Sequence, residues 1–318
     1  MPVSSRLRAA HRPGRSRWMA LLLLIVGVLS AAPPAIAEVP IRDAFGREVQ
    51  VSAAKRILTL GADVSEIVVA LGAEERIVAV DRGSTYPETL KQKPNVGYRR
   101  ALSAEGVISL APDLILASED AGPSTAIDIL KSLSTPLVFV PEKNSLEGMI
   151  AKIELISRTL GLEEQGKVLA ARVTADFNAA TALADRVPAE RRRRVVFFHG
   201  LLKLTAAGEG TAANAIISYA GGINPLDFKG YKSVSEESLV EIAPEVVVMM
   251  PDDKGGPTPN EVFSIPALKT TPAARDKALI VLKGAYMINF GPRTAGAIRD
   301  IAAALYPDVL AGDNASPQ

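Results

Sequence analysis

Residues 102–116 (LSAEGVISLAPDLIL) align without a gap against residues 234–248 (VSEESLVEIAPEVVV). Each copy offers a serine to cap a short helix, then Ala-Pro, an acidic residue and an apolar run suited to a buried strand. A Gly-Tyr pair precedes each copy, Gly97-Tyr98 and Gly230-Tyr231. One supersecondary unit used twice must bury its strand in a sheet twice, so the chain is expected to build two related α/β units.

The remaining pattern agrees. Short β-branched runs alternate with helical periodicity: strands over 56–60, 77–80, 114–116 and 137–140, and helices over 64–71, 105–110 and 124–133. The period then changes. Residues 146–160 read as an amphipathic helix with Met149, Ile153, Ile156 and Leu160 on one face. Gly161 interrupts it, and residues 163–187 continue as a long proline-free helical stretch. Strands are expected again at 195–198, 245–249 and 279–282, with helices at 211–219, 236–242 and 293–305. The predicted fold is therefore α/β: a first lobe over 38–162, a connecting helix over 163–187 and a second lobe over 188–318. No Gly/Ser-rich linker separates them, which suggests a stiff two-lobed body.

The first 37 residues read as an address. Arg6, Arg8, Arg12, Arg15 and Arg17 precede an apolar run from Met19 to Leu29, and Ala35-Ile36-Ala37 offers small residues for cleavage. The expected mature chain starts at Glu38 and lies in the periplasm. Of 36 basic and 35 acidic residues, the leader holds five basic and no acidic ones, which leaves 36 − 5 = 31 basic against 35 acidic, a net charge of −4. That balance speaks against nucleic acid as a partner. The chain has no cysteine, so a disulfide framework, a thiolate metal site, a cysteine nucleophile and a lipid on a cleavage-site cysteine are all excluded. Of the two histidines, His11 lies in the leader, and His199 is left as the sole candidate base or imidazole ligand. No Gly-x-Ser-x-Gly elbow accompanies it, so a secreted serine hydrolase is a distant alternative and the chain reads as a non-enzyme.

Three segments carry a family resemblance: NVGYRRALSAEG at 95–106, AAGEGTAANA at 206–215 and FGPRT at 290–294. They resemble the binding proteins of importers for siderophores, cobalamin and heme, and within that group the periplasmic heme-binding proteins of hemin ABC importers. The resemblance spans nearly all of residues 40–310. It implies two α/β lobes joined by one rigid helix, a ligand cleft between them, heme as the transported ligand, and delivery to an inner-membrane ABC permease homodimer. An outer-membrane heme receptor is a further candidate partner upstream. A siderophore or cobalamin carrier of the same group is the alternative.

On that resemblance, Tyr98 is the expected axial ligand of heme iron and Arg100 its neighbour. Ferric iron is a hard acid and a phenolate a hard anionic donor. A phenol ionises near pH 10, and a guanidinium close by favours the charged form. Arg100 shares a face with Tyr98 if the loop is extended. By themselves the residues read first as a surface tyrosine beside two solvated arginines, and the resemblance turns that reading toward a ligand. His199, at the end of an apolar strand, is either a second iron ligand or a hydrogen-bonded histidine. Tyr231, the counterpart of Tyr98, either lines the opposite wall or sits in a rim turn, and Tyr86-Pro87 is a possible cleft edge. Gly208 to Thr211 reads as a turn with Thr211 as helix cap, or as a seat for a propionate. Pro292 is expected at the first helical position, and Arg191 to Arg194 as a solvated basic run. Glu105 and Glu237 hold matched places in the two copies. The resemblance implies that they dock the two permease subunits, and a favourable charge at each helix N-terminus is the plainer alternative.

Overall fold

Three β-branched runs and one leucine-rich run form the first sheet of the computed structural model, which describes residues 1, 38–201, 204–251 and 255–310. The expected leader lies outside the described residues apart from Met1. A hairpin of β1 (Val39–Arg42) and β2 (Glu48–Val51) precedes β3 (Ile57–Leu60), α1 (Ala62–Ala70) and β4 (Ile77–Val80). Then come α2 (Ala104–Ile108), β5 (Leu114–Ser118), α3 (Ser124–Lys131) and β6 (Leu137–Val140). The sheet order is β4-β3-β5-β6, all parallel. The alternation of strand side chains divides its core. Leu58 and Leu60 pack outward with Val107, Ile115, Leu130 and Phe139, while Ile57 faces the middle of the molecule.

Two consecutive helices lead out of the first sheet, and the second of them connects the lobes. Helix α4 (Leu146–Leu160) ends at Gly161, whose φ of 67° is the left-handed stop that glycine adopts without strain. Helix α5 (Glu163–Asp185) follows at once. The second sheet is built from β7 (Val195–His199), β8 (Thr205–Ala207), β9 (Tyr231–Ser233), β10 (Val246–Met249) and β11 (Leu279–Val281), ordered β11-β10-β7-β8-β9. Strands β7, β10 and β11 are parallel, and β8 and β9 add an antiparallel edge. Helices α6 (Ala212–Tyr219), α7 (Glu236–Ile242) and α8 (Thr294–Leu305) cover it, with one-turn helices between residues 259 and 287. The two α/β lobes share one continuous apolar core that runs from Ile67 and Ile156 through Val173 and Phe177 to Ile216 and Ile298. Among the described residues, no helix is long and apolar enough to cross a membrane.

The repeat extends beyond the aligned strings. Arg56, just before β3, donates from Nε to the carbonyl of Ala111 (2.9 Å), and its backbone N–H donates to Asp113 (2.8 Å). Arg194, just before β7, does the same to the carbonyl of Ala243 (3.1 Å) and to Glu245 (2.8 Å). Ala111 and Ala243 both take left-handed backbone, with φ of 44° and 41°. Both serine caps form: Ser103 accepts from the N–H of Gly106, and Ser235 from that of Ser238.

Two ionic clusters join the elements below the sheets' C-terminal edges. Lys152 of α4 is fully buried and donates to Asp63 of α1 (2.5 Å) and Glu142 (3.1 Å), with the carbonyl of Asn289 in the second lobe at 3.5 Å. Arg293, which precedes α8, makes two parallel bonds to Glu66 of α1, at 2.8 and 2.5 Å. Its guanidinium lies 3.7 Å from the centre of the Tyr86 ring. A Cβ on Gly291 would stand 3.3 Å from that of Asp63, so backbone from the two lobes meets closely there. Two expectations are corrected. Pro292 is not the first helical residue, because Arg293 takes the cap position and α8 starts at Thr294. The Arg191–Arg194 run is not simply solvated: Arg191 pairs with Asp308, Arg193 donates to the Glu245 carbonyl, and Arg194 pairs with Glu245.

Lys152→Met is expected to leave the buried Asp63 and the half-buried Glu142 without their cation and to cost about 3–5 kcal/mol. A chemical-denaturation midpoint measures this. The midpoint should stay put in Arg191→Ala, where both partners are exposed.

Candidate functional site

A cleft of about 770 Å³ opens between the lobes, within the size range of small-molecule sites. Its first wall comes from the loop after β4. The N–H of Val96 bonds the carbonyl of Val80, and the N–H of Arg82 bonds that of Gly97. Gly97 takes a φ of 88°, and its N–H is held by the Asn95 side chain at 2.7 Å. The chain then turns, with the N–H of Ala101 bonded to the carbonyl of Tyr98 at 2.8 Å. This turn, rather than an extended strand, brings Arg100 back to its neighbour: its guanidinium donates to the Tyr98 hydroxyl at 2.8 Å. Tyr98 remains half exposed to the cleft.

Asp120, at the end of β5, organises the arginines. It accepts from Arg99 at 2.7 and 3.0 Å, from Arg100 and from the hydroxyl of Ser118 (2.9 Å). The loop that carries it is clamped to theirs, since the Gly122 N–H bonds the Arg99 carbonyl and the Leu102 N–H bonds the Gly122 carbonyl. Burial alone would raise the Asp120 pKa. The Arg99 hydrogen bonds and charge, Ser118 and Arg100 outweigh it and hold the carboxyl down at about 2. The network continues inward: Ser118 also reaches Glu142 (2.6 Å), which reaches Lys152. Burial, with the charge of Asp63 added, pushes the Glu142 pKa up, although Lys152 opposes this. The floor of the cleft is thus tied through hydrogen bonds to the phenol on its wall.

The opposite wall belongs to the second lobe. His199 ends β7, pairs across the sheet with Thr205, and is exposed in the cleft. Tyr231 starts β9, not a rim turn, and its ring packs edge-on to Phe197 with centroids 6.5 Å apart. Burial raises the pKa of its hydroxyl, and the Arg100 guanidinium of the facing lobe pulls it back. Arg100 thus bonds the Tyr98 hydroxyl directly and acts on Tyr231 through its charge. Thr211 caps α6 by accepting from the Asn214 N–H at 3.1 Å, and Gly210, Thr211 and Ala212 line the cleft beside it.

All four residues expected to bind the ligand, Tyr98, Arg100, His199 and Tyr231, therefore line one cavity. Tyr86 does not line it and is engaged by Arg293 instead. Glu105 and Glu237 are exposed on the first turns of α2 and α7, outside the cleft. The own N–H of Glu237 and the Ser235 hydroxyl lower the pKa of its carboxyl. Asp120, Arg99 and Glu142 went unread in the sequence. Arg99 had the adjacent signal of the Tyr98 motif. Asp120 and Glu142 had none, because only the sheet brings them to the site.

The chain matches the model of a family described as periplasmic binding protein over residues 57–286. A periplasmic heme-binding protein, BhuT, solved in complex with two hemes, is 36% identical, with 80% of this chain and 99% of that one covered and a TM-score of 0.75. The periplasmic heme-binding protein RhuT from Roseiflexus sp. RS-1, solved in apo form, gives the same identity, coverage and TM-score. A vitamin B12-binding protein of Yersinia pestis is 26% identical over 199 residues, 62% of this chain and 70% of that one. Fold, cleft and sequence agree on one assignment, and the chain belongs to the periplasmic binding protein family of ABC importers.

Proposed function

We propose that this protein captures heme in the periplasm in the cleft between its lobes and hands it to an inner-membrane ABC permease, without catalysing a reaction. Lobes over 38–162 and 188–318 supply one wall each, and residues 163–187 hold them together. The observation that carries the reading is the Arg100–Tyr98 contact at the mouth of a cleft lined from both lobes. A phenol already bonded to a guanidinium loses its proton to ferric iron more readily than an isolated one. Tyr98 is the iron ligand, Arg100 and Arg99 supply positive charge for the phenolate and the propionates, and Tyr231 covers the far side. His199 is the candidate for the second axial position. Cobalamin is the competing cargo, on the likeness to the vitamin B12-binding protein, and that cargo has no use for a phenol held by a guanidinium.

Tyr98→Phe keeps the ring and removes only the donor oxygen. Ferric heme affinity is expected to fall by about a hundredfold or more, and the phenolate signature to vanish from the optical spectrum. His199→Ala should have the smaller effect. An unaltered spectrum and affinity in Tyr98→Phe would contradict the ligand assignment.

Arg100→Ala removes the guanidinium bonded to the Tyr98 oxygen. Heme release should become faster and should rise more steeply as pH falls, because protons compete better for the oxygen. Asp120→Asn releases both arginines and should move heme release the same way. It also has a stability signature. The native carboxyl, held at about 2 rather than its ordinary 3.8, contributes stability that is present above pH 4 and lost as pH falls through about 2. Acid unfolding of Asp120→Asn should lack that component, and parent-like acid unfolding and heme release would refute the role of Asp120.

Delivery is assigned to Glu105 and Glu237, one on each lobe, paired with cations on two identical permease subunits. The double variant Glu105→Ala, Glu237→Ala should keep its heme affinity, bind the permease poorly at low salt and support little uptake. Parent-like docking at low salt would leave these glutamates as helix caps only.

A further inference from the structure

Each copy of the aligned repeat exposes one large aliphatic side chain, at the same place. Ile108 in α2 is 41% exposed and Val240 in α7 is 61% exposed, and in the gapless alignment the two positions coincide. The residue before each, Val107 or Leu239, is fully buried in its own lobe's core, so the helices are seated and the next side chain points away. Single exposed aliphatics are ordinary on protein surfaces. Two at equivalent sites of two lobes are a different observation. Neither Ile108 nor Val240 lines the ligand cleft.

Their surroundings are equally matched. Ile108 stands three residues after Glu105, and Val240 three residues after Glu237, so on each helix the carboxylate and the aliphatic group are neighbours on one face. Neither helix contains a lysine or arginine, and Glu236 and Glu241 add exposed negative charge around Val240. On the first lobe Ile108 also borders an apolar recess of about 280 Å³ between α2 and α3, formed with Val107, Ile115, Leu130 and Leu133. Each lobe thus presents an aliphatic knob beside a carboxylate, and the pair is repeated as the lobes are repeated.

We infer that Ile108 and Val240 are apolar anchors for the membrane importer, one for each of two equivalent subunits, each of which presents a cation beside an apolar recess. The inference rests on the delivery reading above and adds the contact that keeps the complex together once it has formed. Exposed charge pairs guide encounter and fade with salt, whereas burial of aliphatic surface does not. A partner of any other symmetry would use one lobe's knob and leave the other bare.

The test is docking of the heme-loaded protein to its importer in proteoliposomes, at low salt and at about 0.5 M salt, where charges a few ångströms apart are screened. Ile108→Ser with Val240→Ser is expected to weaken docking about tenfold or more at both salts. Its heme spectrum, thermal midpoint and sedimentation should match the parent's. Glu105→Ala with Glu237→Ala, run alongside, should lose docking at low salt and differ little from the parent at high salt. If the apolar variant docks like the parent while the glutamate variant fails, the anchors are wrong and the delivery face stands. If both dock like the parent, the face itself is wrong. If the parent sediments as a dimer and the apolar variant as a monomer, the patch is a self-association surface and the inference is overturned.

Discussion

A lysine with no exposed side-chain surface holds this molecule in register. Lys152 of α4 sits between Asp63 and Glu142, and Glu66, on the same helix α1 as Asp63, pairs with Arg293. Charges so buried persist only when paired, and removal of one strands the others. The burial of Lys152 would by itself lower its pKa, but the two carboxylates outweigh that and raise it. Because α1 belongs to the first lobe and Arg293 to the second, the Glu66–Arg293 pair ties the two lobes together. A shared apolar core and a 23-residue helix do the rest.

The repeat explains why the walls match, and its departures explain why they differ in role. Arg56 with Asp113 and Arg194 with Glu245 are one solution used twice, in a repeat that sets two glutamates and two aliphatics at corresponding places. The lobes diverge where chemistry is needed. Arg100 bonds the Tyr98 hydroxyl, while burial raises the pKa of the Tyr231 hydroxyl against the pull of that same guanidinium. That asymmetry favours a single strong iron ligand from the first lobe over a symmetric pair.

Much of the fold was legible because each signal was local. Alternating apolar runs, serine caps and Ala-Pro breaks placed most strands and helices, and the capping bonds of Ser103, Ser235 and Thr211 formed as read. The Tyr98–Arg100 contact was legible too, although for the wrong local reason: a turn, not an extended segment, makes it. The antiparallel edge strands β8 and β9 escaped notice because three-residue strands carry no periodicity. Asp120, Glu142 and the Asp63–Lys152 pair were illegible because their partners are distant in sequence, and only the parallel order of the first sheet brings them together. FGPRT was noticed as a family segment, but its work, an arginine that reaches across to Glu66, is a tertiary fact.

The central claim is that the cleft is built for heme and not for another bulky iron or cobalt ligand. Optical titration of the unaltered protein with ferric heme, and separately with cobalamin and a ferric siderophore, tests it most directly. The account predicts a saturable shift of the porphyrin absorption to a phenolate-type spectrum with heme, and no saturable change with the other two. Saturable binding of cobalamin or the siderophore, with heme bound only weakly and without the phenolate spectrum, would contradict it.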